Sequence, residues 1–172
     1  MKPYKQTSSQ SCLSVCLLTC IDQDINVNNE LELLYEGLKT TDPYSVSVIR
    51  AFVKKYGKNV NIYVDNNYYR TELHDKFGTK QISFIYEKIT QKFLERLVSP
   101  PYIVYINTNT LLGTWDYSLH FVIVESITDK FFSIIEPATG KRMKVSKKKL
   151  LESITVLKDR VHYCPLVIKV AK

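Results

Sequence analysis

Residues Gln6–Cys20 read "QTSSQSCLSVCLLTC" and place Cys12, Cys16 and Cys20 four apart behind a run of short polar residues. On a helix that spacing makes one slowly drifting stripe. Three readings are open: an apolar helix face, a metal cluster, or one reactive thiol with two bystanders. Ser11 suits an N-cap and the residues after it are apolar all round, so the stretch predicts a buried helix. Structural zinc ligands sit two to four apart in tight turns and are answered by a second Cys/His cluster. His74, His120 and His162 are scattered and form none. A cysteine on the first turn differs from its neighbours, because unpaired N–H groups and the positive dipole end favour a thiolate there. Cys12 holds that place; Cys16 and Cys20 lie one and two turns deeper and read as core.

Downstream, the first half stays largely helical. "NNELELLYEGL" (28–38) repeats Leu31, Leu33, Leu34 and Leu38. "DPYSVSVIRAFVKKYG" (42–57) offers Asp42 as cap, Pro43 at the first helical position and Gly57 as stop. "NNYYRTELHDKFG" (66–78) is a weaker helical stretch. "TQKFLERLVS" (90–99) is a stronger one, ending before Pro100.

"VNIYV" (60–64) and "ISFIY" (82–86) are strand candidates set among these helices. "YIVYI" (102–106), "HFVIVESI" (120–127), "FFSII" (131–135) and "PLVIKV" (165–170) are rich in β-branched and aromatic residues. Thr128–Asp129 suits a tight hairpin. Helices first and a mostly antiparallel sheet after them define an α+β fold. At 172 residues, with only 5 Gly and 6 Pro and no linker-like stretch, a single domain over 1–172 is expected.

The apolar run Cys12–Ile21 is too short to cross a bilayer. Only Lys2 and Lys5 precede it and no small-residue cleavage site follows, so a cytoplasmic, soluble protein with reduced thiols is expected. Net charge is +7, and much of the excess lies in "GKRMKVSKKKLLE" (140–152). No nucleic-acid motif accompanies it, so it reads as a turn and a solvated helix face, with no nucleic-acid partner expected.

A nucleophilic cysteine needs a base and an acceptor that orients the base. His120 opens the best strand, and Glu136 follows the next one in "FFSIIEPATG". A hairpin turning at Thr128–Asp129 pairs His120 with a residue near Glu136–Pro137, which makes imidazole and carboxylate neighbours. Trp115 and Asp116, in "GTWDYSLH", lead into His120; a cleft lining is one reading, and Trp115 packed on the core is the plainer one.

"PYKQTSSQSC" resembles the opening of the C39 and C39-like cysteine peptidases, papain-fold enzymes that include the bacteriocin-leader peptidases. In that family a glutamine lies six residues before the catalytic cysteine, as Gln6 lies before Cys12. A histidine opens a core strand, as in "HFVIV", and an acidic residue precedes P-x-x-G, as Glu136 precedes "PATG". Gln10 before Cys16 repeats the glutamine spacing, but Cys12 has the better helix-start context. The family carries glycine and a small residue where this chain has Leu13 and Val15, and usually aspartate where it has Glu136. The resemblance implies a papain-like fold and a thiol peptidase acting on a peptide or protein. Cys12 would be nucleophile, His120 base, Glu136 the orienting acid and Gln6 part of the oxyanion hole, with no metal or organic cofactor. Acyl transfer on the same site, and a catalytically silent peptide-binding domain, are the alternatives.

Overall fold

The apolar runs in the central strands are explained by a sheet covered on both faces, visible in a computed structural model that describes residues 1–97, 101–115 and 119–171. Its strands are β1 (Val60–Val64), β2 (Ile82–Tyr86), β3 (Tyr102–Asn107), β4 (Leu119–Ile127), β5 (Phe131–Glu136), β6 (Lys141–Ser146) and β7 (Leu166–Val170). They form one sheet in the order β2-β1-β7-β3-β4-β5-β6. β1 and β2 run parallel and every other neighbouring pair is antiparallel. β3 sends Tyr102, Val104 and Ile106 to one side and Ile103 to the other, and β4 divides Val122 and Val124 from Phe121 and Ile123. Both sets are buried, which is why neither strand alternates with polar residues.

One face is covered by α1 (Cys12–Cys20), α2 (Val27–Leu38), α3 (Tyr44–Tyr56) and α4 (Asn67–Phe77). The other is covered by α5 (Gln91–Arg96), the short α6 (Thr108–Leu112) and α7 (Lys147–Asp159). The architecture is the expected α+β one, with helices packed on a mostly antiparallel sheet. Gly57 ends α3 at φ 65°, as its position predicts.

Several local expectations change. Pro43 is the N-cap of α3 rather than its first residue, and Asp42 pairs with Arg50 at 2.8 Å instead of capping. Cap duty for α2 falls to Asn26, in a reciprocal capping box with Asn29. The end of the 90–99 stretch lies partly outside the described residues; α5 within it stops at Arg96. The first half of the basic cluster is not a turn but the edge strand β6, of which only Val145 is buried. Among the described residues no helix is long and apolar enough to cross a membrane.

Candidate active site

α1 is buried along nearly its whole length, so its first residue, Cys12, is held against the sheet and is only 6% exposed. Ser11 occupies the N-cap position, yet its side chain caps nothing. Its hydroxyl instead meets the Glu30 carboxylate and, at 2.8 Å, the Ser8 carbonyl. A single hydroxyl proton serves one of these acceptors at a time. The first-turn N–H groups of α1 are thereby left without a side-chain acceptor.

His120 and Glu136 meet where β4 begins and β5 ends. The β4–β5 ladder pairs Ile123 with Ile135 and shifts by one residue between Val124 and Ser126. Continuing the inner register would set His120 opposite Ala138, so the contact with Glu136 is diagonal rather than directly across. His120 Nε2 lies 2.7 Å from Glu136 Oε1, and both side chains are buried. Glu136 is fixed from behind by its own turn: Ala138 N donates to Oε1 at 2.7 Å and Thr139 N to Oε2 at 2.8 Å.

Charge and burial compete at this pair. Burial alone would raise the Glu136 carboxyl, but hydrogen bonds from His120, Thr139 and Ala138 outweigh it and hold its pKa at about 2. Burial would lower His120, yet interactions with Cys12 and with Glu136 raise its pKa to about 9. Glu136 holds the ring through Nε2, and the Cys12 thiol acts on it electrostatically. The other three thiols are held protonated. Cys16 is fully buried, raised by burial first, and donates to the Phe121 carbonyl at 3.5 Å. Burial pushes Cys20 up to about 12 and Cys164 to about 11.

Gln6 is tied to the same corner. Its backbone N–H donates to Pro137 O at 2.8 Å, and Gly140 in the next turn, at φ 65°, packs against Lys5 so closely that a Cβ would stand 2.8 Å from Lys5 N. Gln6 Nε2 gives one hydrogen to Ser8 O at 2.8 Å. That carbonyl is an acceptor, so the amide must present nitrogen to it, and its second N–H has no partner among the described residues.

Beside the pair opens a cavity of about 670 Å³ lined by Tyr44, Tyr69, Tyr105, Phe121 and Tyr163 among others. Phe121 directly follows His120 and stacks on Tyr105 with ring centroids 4.4 Å apart, while the Tyr44 hydroxyl donates to Gln10 O. Neither Cys12 nor His120 lines the cavity, although Tyr44 and Tyr105 of its wall lie near enough to Cys12 to interact with it electrostatically. Trp115 neither lines it nor packs on the core but is fully exposed; Asp116 lies outside the described residues.

Sequence reasoning passed over Glu30, which is fully buried and accepts from Thr7 and Ser8 as well as Ser11. The signal was present: Glu30, Leu33, Leu34 and Gly37 are the buried residues of α2 and follow i, i+3, i+4, i+7.

The fold has solved counterparts. It is similar to the peptidase domain of Streptococcus ComA, a bi-functional ABC transporter involved in a quorum sensing pathway. The TM-score is 0.57 at 14% identity, covering 99% of this chain and 97% of that one. This is a C39-like peptidase fold. A double glycine motif protease from an AMS/PCAT transporter, solved in complex with its leader peptide, is similar at TM-score 0.52 and 16% identity, over 96% and 87% of the two chains. No protein-family model matches the sequence, and no curated protein matches it. At such low identity the C39-like likeness speaks for the fold alone, and chemistry has to be argued from the residues.

Proposed function

We propose that this chain is a cysteine peptidase that hydrolyses peptide bonds with Cys12, His120, Glu136 and Gln6. The observation that carries the reading is the buried imidazole, hydrogen-bonded to a twice-anchored carboxylate and raised in pKa by its interactions with that carboxylate and with Cys12. A ring with a pKa near 9 is cationic at neutral pH, which is the charge a neighbouring thiolate requires.

In the reaction, Cys12 Sγ adds to the scissile carbonyl carbon and the carbonyl oxygen becomes an oxyanion. The uncommitted Gln6 N–H and the Cys12 backbone N–H receive that charge; one such donor is typically worth about 3 kcal/mol. The C–N bond then breaks, His120 gives its proton to the leaving amine, and a thioester remains. Water adds to the thioester as His120 takes its proton, and the sulfur leaves as thiolate, releasing the carboxylic acid and restoring the imidazolium. Glu136 keeps the ring in one tautomer and orientation throughout. The substrate is a peptide: both solved counterparts are peptidase domains, and an aromatic cavity beside the thiol has room for substrate side chains.

One observation favours a silent peptide-binding domain instead, namely that Gln6 already spends one amide hydrogen on Ser8 O. Neutral-pH iodoacetamide mapping, run beside a fluorogenic peptide assay, separates the two. Selective modification of Cys12 and peptide turnover, both lost in His120→Ala, are expected. Uniform labelling of all four cysteines with no turnover would sink the peptidase reading.

A further inference from the structure

Glu30 is a buried carboxylate that the proposed mechanism leaves unused. It is 0% exposed and makes no ion pair among the described residues, although burying a charge without a partner is costly. What surrounds it are donors from one short segment. Thr7 N donates at 2.6 Å and Thr7 Oγ1 at 2.8 Å, Ser8 N approaches at 3.5 Å, and the Ser11 hydroxyl completes the set. All of them lie between Gln6 and Cys12, the two residues assigned to the oxyanion hole. The Ser8 peptide links this set to the catalytic amide, because its carbonyl accepts from Gln6 Nε2 at 2.8 Å. At the other end, drawing the Ser11 hydroxyl toward Glu30 keeps it off the first-turn N–H groups of α1.

We propose that Glu30 is the positioning residue of the oxyanion hole: it folds residues 7–11 around its two oxygens, aiming the Gln6 amide and leaving the Cys12 N–H open to substrate. The inference rests on the peptidase reading. Its physical basis is that, apart from hydrogen bonds within the amino-terminal segment and the Tyr44 hydroxyl on Gln10 O, Glu30 is what ties residues 7–11 to the rest of the fold. Residues 7, 9 and 10 are exposed and the chain there has no regular structure, so the carboxylate hydrogen bonds are its buried anchor. A glutamine at this position keeps the volume but offers one acceptor oxygen and adds two donor hydrogens. It therefore confronts at least one of the Thr7 and Ser11 donors with a donor.

Acylation and alkylation of the same sulfur tell positioning from mere support. Attack on a chromogenic p-nitrophenyl ester passes through an oxyanion, whereas displacement of iodide from iodoacetamide does not. In Glu30→Gln, kcat for the ester should fall about 10- to 100-fold, with KM and the Cys12 alkylation rate each within about 3-fold of the unaltered chain. In a Gln6→Ala background the further loss should be smaller than in the unaltered chain, since only the effect through the Cys12 N–H remains. Should Glu30→Gln fail to fold, judged by alkylation of the buried Cys16, Thr7→Val removes one donor alone and should cut acylation about 3- to 10-fold with alkylation unchanged. Equal losses in acylation and alkylation, or no loss of acylation, overturn the proposal. An unaltered chain that is alkylated at Cys12 but never acylated overturns the peptidase reading and takes this inference with it.

Discussion

Replacing Glu136 by glutamine tests the charge arrangement with almost no change of shape. Three N–H groups converge on the carboxylate: His120 Nε2 and Ala138 N at 2.7 Å and Thr139 N at 2.8 Å. A glutamine has one acceptor oxygen and a donor amide, so one of the three must face another donor. The negative charge that helps hold His120 at about 9 is also lost; burial and Cys12 then oppose one another, and the ring returns toward its ordinary 6.5. At pH 7.5 a group with a pKa of about 9 is roughly 97% protonated and one at about 6.5 roughly 9%, so the imidazolium population falls about tenfold. Iodoacetamide alkylation of Cys12, followed by mass spectrometry from pH 5 to 10, should therefore slow about tenfold at pH 7.5. Peptide turnover should fall further, since the ring also loses its fixed orientation. The same groups set a stability profile. His120 is raised, so its contribution is complete below about 6.5 and is lost as pH climbs through about 9. Glu136 is lowered, so its contribution is present above 4.5 and is lost as pH falls toward 2. In Glu136→Gln the alkaline decline of the denaturation midpoint should shrink. An alkylation profile within twofold of the unaltered chain at every pH would refute the argument.

Gly140→Ala places a side chain at φ 65° and drives a Cβ to 2.8 Å from Lys5 N. A cost of about 1–2 kcal/mol is expected for the backbone alone, read as a lower melting temperature. Peptide turnover should drop more than alkylation, because Lys5 carries Gln6 with it. Asn26→Ala removes the Asn26 Oδ1 acceptor of the capping box one turn before Glu30, leaving the backbone half to Asn29, and should cost about 1 kcal/mol, a melting shift of about 2–4 °C by calorimetry. Gly37→Ala adds a Cβ 2.5 Å from Val48 Cγ2 and 3.2 Å from Val48 N, pushing α2 off α3. Overpacking of about 1–3 kcal/mol should outweigh the roughly 1 kcal/mol that alanine gains in a helix. A raised denaturant midpoint would show that the contact relaxes.

Legibility in the sequence followed the strength of the periodic signal. β1 and β2 were readable to the residue, because β-branched and aromatic residues bounded by polar ones leave little freedom. The strand β6 was not, since "KRMKVS" buries only Val145 and has no alternation to detect. Its lysines suit a sheet edge, where charge discourages pairing with another chain. The hairpin argument brought His120 and Glu136 together, but the bulge between Val124 and Ser126 changes who stands opposite whom, and no residue type announces it. In α2 the leucines drew the eye, yet Leu38 is half exposed while Glu30 takes the fully buried place. A carboxylate inside a helix face is dismissed by composition and recovered only by spacing.

These differences share a cause that bears on how the site works. The amino-terminal segment has almost no apolar side chains of its own, and it is shaped by two distant partners. The 136–140 turn takes the Gln6 N–H and packs Gly140 on Lys5; α2 takes Thr7, Ser8 and Ser11 through Glu30. Neither clamp can form before the sheet and α2 are in place, because the chain entropy of closing such long loops is offset only by contacts made there. The thiol itself belongs to α1, which is buried and needs no such help. The proposed nucleophile and the proposed oxyanion hole are thus held by different forces: packing fixes Cys12, whereas hydrogen bonds to one buried carboxylate and one turn fix the segment that carries Gln6. Substitutions in the clamps should act on carbonyl addition and spare the reactivity of the sulfur, a separation that a site built on one rigid element would not allow.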